Sequence, residues 1–279
     1  MKSPFLKRLL QSQSCSLKKV FADLSLLTLI FLIAAAFFAG FVDSIAGGGG
    51  LIQLPALLIG LPKTETVSVL GTNKLASVFG TTTAAALYRR QIKPDRKVLL
   101  AMSIPAFIGS AIGASLASHI PTRSMRPLVL ILLIVVALYT WLKPDLGKIE
   151  MLRHVSKRRI QISILAGLII GFYDGIFGPG TGSFLMLILV ASLGYAFITA
   201  SAIAKVVNVS TNLGAILVFG FQGAIIWKLG LLLGVANITG AVIGSRIAIR
   251  GGSTLVRKVF LIVTVALIIK VGIDTFASF

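Results

Sequence analysis

The chain is short of acid. Only 8 Asp and Glu stand against 27 Lys and Arg in 279 residues, giving a formal net charge of +19. A single cysteine, Cys15, excludes a disulfide framework and a thiolate metal site. The two histidines, His119 and His154, fall in expected loops without metal-ligand spacing. There is no Ser/His/Asp grouping, no paired histidine and no phosphate loop. The glycine run Gly47–Gly50 leads into Leu51 and lacks the Lys and Ser/Thr of a nucleotide loop, so ATP-driven work has no support. No catalytic constellation, cofactor or metal is expected, and no polar segment is long enough to form a soluble domain.

Apolar sequence is abundant. Hydrophobic residues make up 56% of the chain and charged residues 13%, with a mean hydropathy of +0.98. Apolar stretches fall near Leu24–Val42, Thr66–Tyr88, Val98–Ser118, Pro127–Trp141, Ile160–Phe172, Ile198–Val218, Leu229–Ile249 and Val259–Phe276. Most approach the roughly 20 residues a spanning helix needs. The chain therefore reads as an all-α polytopic membrane protein whose first partner is the lipid bilayer. The positive charge fits this reading. Arg89, Arg90, Lys93, Arg96 and Lys97 form one cluster and Lys143 to Arg159 another, both between apolar stretches, as cytoplasmic loops would be. No basic surface interleaved with aromatics suggests nucleic acid. Residues 1–23 read as a basic cytoplasmic tail ahead of a retained first helix.

Displaced by 131 residues, the chain matches itself without a gap. Gly40, Phe41, Asp43, Ile45, Gly47 and Gly49 fall on Gly171, Phe172, Asp174, Ile176, Gly178 and Gly180, and Lys74 falls on Lys205. Rare polar residues coinciding inside apolar segments indicate a tandem duplication, a usual build of secondary transporters. The expected units are a first repeat over 24–142, a basic cytoplasmic linker over 143–159 and a second repeat over 160–279. If Leu51–Leu61 is a re-entrant half helix, there are eight spans with both termini cytoplasmic. If it crosses, there are ten spans as a 5+5 inverted repeat. Counting Lys and Arg gives 17 inside and 6 outside for eight spans, against 14 and 9 for ten, which favours eight.

The candidate site lies around the two glycine segments. Four consecutive glycines, Gly47, Gly48, Gly49 and Gly50, are costly in a helix and fit backbone that unwinds, visits positive φ or approaches a ligand. Gly178, Gly180 and Gly182 are their counterparts. Each segment opens onto a short helix, and the N–H groups there suit an anion. The GxxxG spacings Gly109/Gly113 and Gly240/Gly244 read instead as helix packing. Asp43 and Asp174 are candidates for a proton carrier, a brace for freed N–H groups, or an inert interfacial acid. Lys74 and Lys205 are costly inside apolar helices unless they face a cavity, a carboxylate or an anion, or snorkel to the interface. Asn73 and Asn208, with Asn212, Ser77, Thr81, Ser201 and Ser210, would supply neutral polar groups along the same helices.

These segments resemble the sulfite exporter (TauE/SafE) family of bacterial membrane permeases. The resemblance rests on Gly40-Phe-Val-Asp-Ser-Ile-Ala, the glycine run ending in Leu54-Pro55, and Gly71-Thr-Asn-Lys74. In the second half it rests on Gly171-Phe-Tyr-Asp-Gly-Ile-Phe-Gly-Pro-Gly-Thr-Gly182 and the helix of Lys205. It covers roughly Leu24 to Phe276. The resemblance implies an inner-membrane permease of small anions, mainly sulfite and organosulfonates, powered by an ion gradient. The second half departs from the pattern: Pro179 and Thr181 interrupt the glycines, Met186 stands where Pro55 would fall, and Ala202-Ile-Ala precedes Lys205. The alternative from another class is a non-transporting accessory protein or a channel-like anion pore.

Overall fold

The computed structural model describes residues 24–117, 131, 134, 137–138, 140–142, 145 and 147–276. The basic tail with Cys15, and His119, Arg123, Arg126 and Lys143, lie outside the described residues. What is described is helical, without a strand among the described residues. The helices are α1 (Leu26–Ala46), α2 (Gly50–Gly60), α3 (Thr66–Gln91), α4 (Arg96–Leu116), α5 (Ser156–Ile176), α6 (Thr181–Ala191), α7 (Phe197–Phe221) and α8 (Trp227–Phe276). Ile131, Ile134, Ala137, Leu138 and Thr140–Leu142 are also helical. The bounds of α6 are those of α2 displaced by 131 residues.

Local chemistry sets the helix ends. Ser25 caps α1 by accepting the Thr28 N–H at 3.1 Å, and Gly47 closes it in the left-handed region at φ 80°. Asp95 starts α4 by accepting the Lys97 N–H at 2.9 Å. Inside α8, Gly252 takes φ 62° and ψ −164°, so α8 is two helices joined at a sharp break. Among the described residues five helices are long and apolar enough to cross a membrane: α1, α4, α5, α7 and the Trp227–Ala266 part of α8. α3 has 26 residues, enough to cross, but its polar side chains lower its hydropathy. Those side chains, including Thr72, Asn73, Lys74 and Thr81, are buried. Large apolar side chains instead face outward, Leu27 at 79% exposure and Leu165 at 60% among them, as a lipid-facing surface requires.

Small residues let the helices touch backbone to backbone. A Cβ on Gly167, Gly171 or Gly175 of α5 would lie 2.1–2.3 Å from the carbonyl oxygens of Met102, Ala106 and Ser110 in turn. Both residue series rise together, so α4 and α5 are parallel. Gly109 and Gly113 sit in this seam, against Leu168 and Phe172, and Gly240 and Gly244 abut Phe37 and Phe41 of α1. The GxxxG pairs are packing sites, as expected. α1 is likewise parallel to the first part of α8, where Leu75 and Phe79 of α3 also lie on Gly230 and Gly234, running the same way. Between α3 and α7 the sense reverses. The Ile226 N–H donates to Thr72 Oγ1 at 3.0 Å, and Asn212 Nδ2 donates to Thr81 Oγ1 at 3.4 Å.

α1 and α3 therefore run the same way, while α3 and α7 run oppositely. The eight-span expectation needs α1 and α3 to be opposed, because its short helix returns to the side it left. Here α2 folds back along α1, with Gly60 against Leu32. The chain is thereby returned to the end at which α1 began before α3 starts.

Candidate functional site

The two glycine segments meet. A Cβ on Gly47 would lie 2.4 Å from the Gly182 backbone, and one on Gly182 would lie 2.5 Å from Gly47 Cα. No side chain fits at this junction. The left-handed positions are Gly47 (φ 80°), Gly178 (φ 90°) and Gly180 (φ 84°). Gly48 is not among them, so the positive φ expected of the first run falls on Gly47 alone.

Each segment is held by a carboxylate from its own hairpin, and each carboxylate is paired with a lysine from the other half. Lys74 Nζ on α3 lies 2.6 Å from Asp174 Oδ2 on α5, and Lys205 Nζ on α7 lies 3.1 Å from Asp43 Oδ2 on α1. Lys205 also donates to the Asp43 carbonyl oxygen. The Thr181 hydroxyl is 2.6 Å from both Asp174 Oδ1 and the Gly178 carbonyl oxygen. The Gly49 N–H reaches Asp43 Oδ1 at 3.4 Å. Lys74 is 4% exposed and Lys205 is fully buried, which removes the snorkelled alternative. The sequence offered a carboxylate as one of several partners for these lysines. It did not indicate that the pairs would cross.

Beside the junction is a cavity of about 30 Å³, room for one or two water molecules. Of the expected residues, Asp43, Gly47, Gly49, Gly50, Asn73, Lys74, Asp174, Gly178, Gly182 and Asn208 line it. Gly48, Gly180 and Lys205 do not; Lys205 is joined to this wall through Asp43. The first turns of α2 and α6 border the space, through Gly50 and through Thr181 and Gly182, so both helix dipoles present their positive ends to it. Part of the N–H run is already spent: Leu51 and Gln53 bond back to the carbonyls of Gly48 and Gly49, and Thr181 to that of Gly178. Asn73 Oδ1 is buried without a hydrogen-bond partner among the described residues.

Sequence reasoning missed Asn237 and Thr181. Asn237 lines the cavity and donates to Gln53 Oε1 at 2.8 Å and to the Ala36 carbonyl at 3.1 Å. In the 131-residue register it falls on Ala106, so a search for repeated polar residues passes over it. An amide inside the apolar stretch Leu229–Ile249 was the available signal. Thr181 was visible only as an interruption of the glycines, whereas its hydroxyl is what holds Asp174. Together the walls supply four asparagine amides, three hydroxyls, the ion-paired Asp43, Lys74 and Asp174 and two helix N-termini, a strongly polar lining inside an apolar protein.

The family model described as "Sulfite exporter TauE/SafE" matches residues 32–271. A protein of Sinorhizobium sp named "Probable membrane transporter protein ORF9" is 42% identical over 253 residues, covering 90% of this chain and 95% of the relative. A "Probable membrane transporter protein" of Haemophilus influenzae is 34% identical, covering 90% and 97%. The "Probable membrane transporter protein YfcA" of Escherichia coli is 36% identical, covering 90% and 91%. No solved structure matches the chain.

Proposed function

The chain belongs to the sulfite exporter TauE/SafE family, and we propose that it is a secondary transporter of small anions, sulfur oxyanions or organosulfonates such as sulfite, driven by an ion gradient. The observation that carries this reading is the pair of crossed Lys–Asp bridges, Lys74–Asp174 and Lys205–Asp43, at a small polar cavity beside the junction of the two glycine segments.

Physical chemistry links the bridges to transport. A bare anion in a low-dielectric cavity is strongly disfavoured unless a cation faces it. Lys74 is such a cation, but Asp174 already neutralises it. Protonating Asp174 releases Lys74 to the anion, and the wall with its bound monoanion is neutral. One proton then accompanies one negative charge, and Thr181 retains the neutral acid by its hydrogen bond. The Asn73 and Asn208 amides and the N-termini of α2 and α6 bind the oxyanion's remaining oxygens.

Helix direction supports two inverted repeats, 24–142 and 160–279, joined by the linker 143–159 and crossing ten times. Antiparallel α3 and α7 are what a pseudo-two-fold axis in the membrane plane produces. The ends of α3 and of the first part of α8, with the starts of α4 and α5, then gather Arg89, Arg90, Lys93, Arg96, Lys97, Lys157, Arg158, Arg159 and Arg250 at one end. Lys63 and Lys228 are at the other, where the five Lys and Arg of residues 1–23 also count, so the split is the 14 against 9 given above. The positive-inside bias makes the crowded end cytoplasmic, in the bacterial inner membrane. α1 then begins on the outer side, which reverses the cytoplasmic N-terminus expected from eight spans. Lys228→Cys in a Cys15→Ser background tests this. Labelling by an impermeant thiol reagent in intact cells fits ten spans, and protection fits eight.

Purified protein in lipid vesicles with labelled sulfite tests the function. Accumulation against a gradient when a pH difference is imposed is the expected result. Equilibration indifferent to the pH difference would make the protein a pore, and no movement at all would make it an accessory.

A further inference from the structure

A second cavity, of about 640 Å³, lies between α4 and α7 on the opposite side of α7 from the polar site. Its walls are apolar, formed by Leu99, Leu100, Ile104, Phe107 and Val206, and two arginines, Arg89 and Arg96, stand at one end. Leu100 and Ile104 are 58% and 59% exposed, so the crevice opens sideways onto the lipid-facing surface. From Arg96 to Phe107 it follows about 16 Å of helix, close to one leaflet of a hydrocarbon core of roughly 30 Å. Among the described residues neither arginine has a carboxylate within ion-pair distance. Ser103, in the wall, is 7% exposed, and its Oγ has no hydrogen-bond partner among the described residues.

The matching place in the other half is filled. In the 131-residue register Val206, Ser210, Leu99 and Ser103 correspond to Leu75, Phe79, Gly230 and Gly234. There Leu75 lies on Gly230 and the Phe79 ring lies on Gly234, where a Cβ would be 2.7 Å and 2.6 Å from them. Arg89 and Arg96 correspond to Gly220 and Trp227. Crevice, arginines and free hydroxyl thus occur together, and only in one of the two equivalent places.

We propose that this crevice binds an anionic phospholipid, with its phosphate on Arg89 and Arg96 and one acyl chain along the groove between α4 and α7. A guanidinium pair at the membrane surface suits a phosphate diester, and the sideways opening admits an acyl chain from the bilayer. The proposal does not depend on the substrate assigned to the polar cavity.

The test uses the full chain in detergent, with lipid binding followed by native mass spectrometry and by thermal unfolding. Phosphatidylglycerol should bind and raise the unfolding temperature, whereas phosphatidylcholine of the same chain length should do neither. Arg89→Gln with Arg96→Gln should weaken phosphatidylglycerol ~30-fold, the loss expected for two interfacial arginines. Ser210→Phe, which copies the plug at Phe79, should remove the stabilisation by filling the groove. If Ser210→Phe does not fold, the arginine double variant decides alone. Equal stabilisation by both lipids, or an undiminished phosphatidylglycerol preference in the double variant, would overturn the proposal. So would inorganic phosphate or sulfite protecting as well as the lipid, since the crevice would then be a vestibule for soluble anions.

Discussion

The two buried bridges are equivalent in register but differ in setting. Lys74 and Asp174 both line the cavity, and Asp174 is held from its other side by Thr181. Lys205 is fully buried and off the cavity, donating to both the carboxylate and the carbonyl of Asp43, which is itself 14% exposed. Both partners of the first bridge face the cavity; of the second only Asp43 does, and its lysine secures the end of α1 to α7. Under the proposed mechanism the two bridges do different work: exchange at Lys74–Asp174, attachment at Lys205–Asp43.

The largest effect should come from breaking the attachment bridge. Lys205→Ala leaves Asp43 without its cation and its carbonyl oxygen without the lysine donor, a loss of about 3–5 kcal/mol. Thermal unfolding in detergent should fall steeply, and adding Asp43→Asn should recover part of the loss. Lys74→Ala should be milder in stability, because Asp174 keeps its hydrogen bond from the Thr181 hydroxyl. An equal fall in the two variants would erase the proposed difference between the bridges.

The glycine junction offers a second contrast. Gly47→Ala places a Cβ on Gly182 backbone and forces a left-handed alanine, at about 1–3 kcal/mol for the backbone alone. Gly50→Ala has its nearest neighbour, Pro179 Cα, at 3.5 Å and no positive φ. It should leave stability unchanged or slightly raised through helix propensity. If Gly47→Ala unfolds at the parent's temperature, the glycine segments do not meet as tightly as described.

The smallest expected effect is on affinity. Lys74→Ala should weaken sulfite binding at least ~tenfold, about 1.4 kcal/mol, with the protein still folded. Lys205→Ala, in whatever fraction remains folded, should bind within a few-fold of the parent. Titration calorimetry on both variants checks this.

Helical membrane character, the two glycine segments and the register of Asp43, Asp174, Lys74 and Lys205 were legible in the sequence, because costly residues repeated inside apolar segments stand out against composition. Helix direction was not legible. Charge counting weighed the basic tail as heavily as the loop clusters and so favoured α1 and α3 opposed. The crossing of the bridges follows from the observed directions, since antiparallel α3 and α7 bring Lys74 to the α5 hairpin and Lys205 to the α1 hairpin. Asn237 was hidden for a different reason: it belongs to one half only, and a repeat search rewards what is shared. The lateral crevice was hidden likewise, being defined by what Val206 and Ser210 leave unfilled.

The central claim is that Asp174 gates Lys74 for the anion by taking up a proton. Asp174→Asn keeps an acceptor for the Thr181 hydroxyl but cannot titrate. In vesicles containing this variant, sulfite exchange at equal pH on both sides should persist, while accumulation driven by a pH difference should be lost. Accumulation retained at the parent's level would contradict the claim and leave Asp174 a structural partner of Lys74.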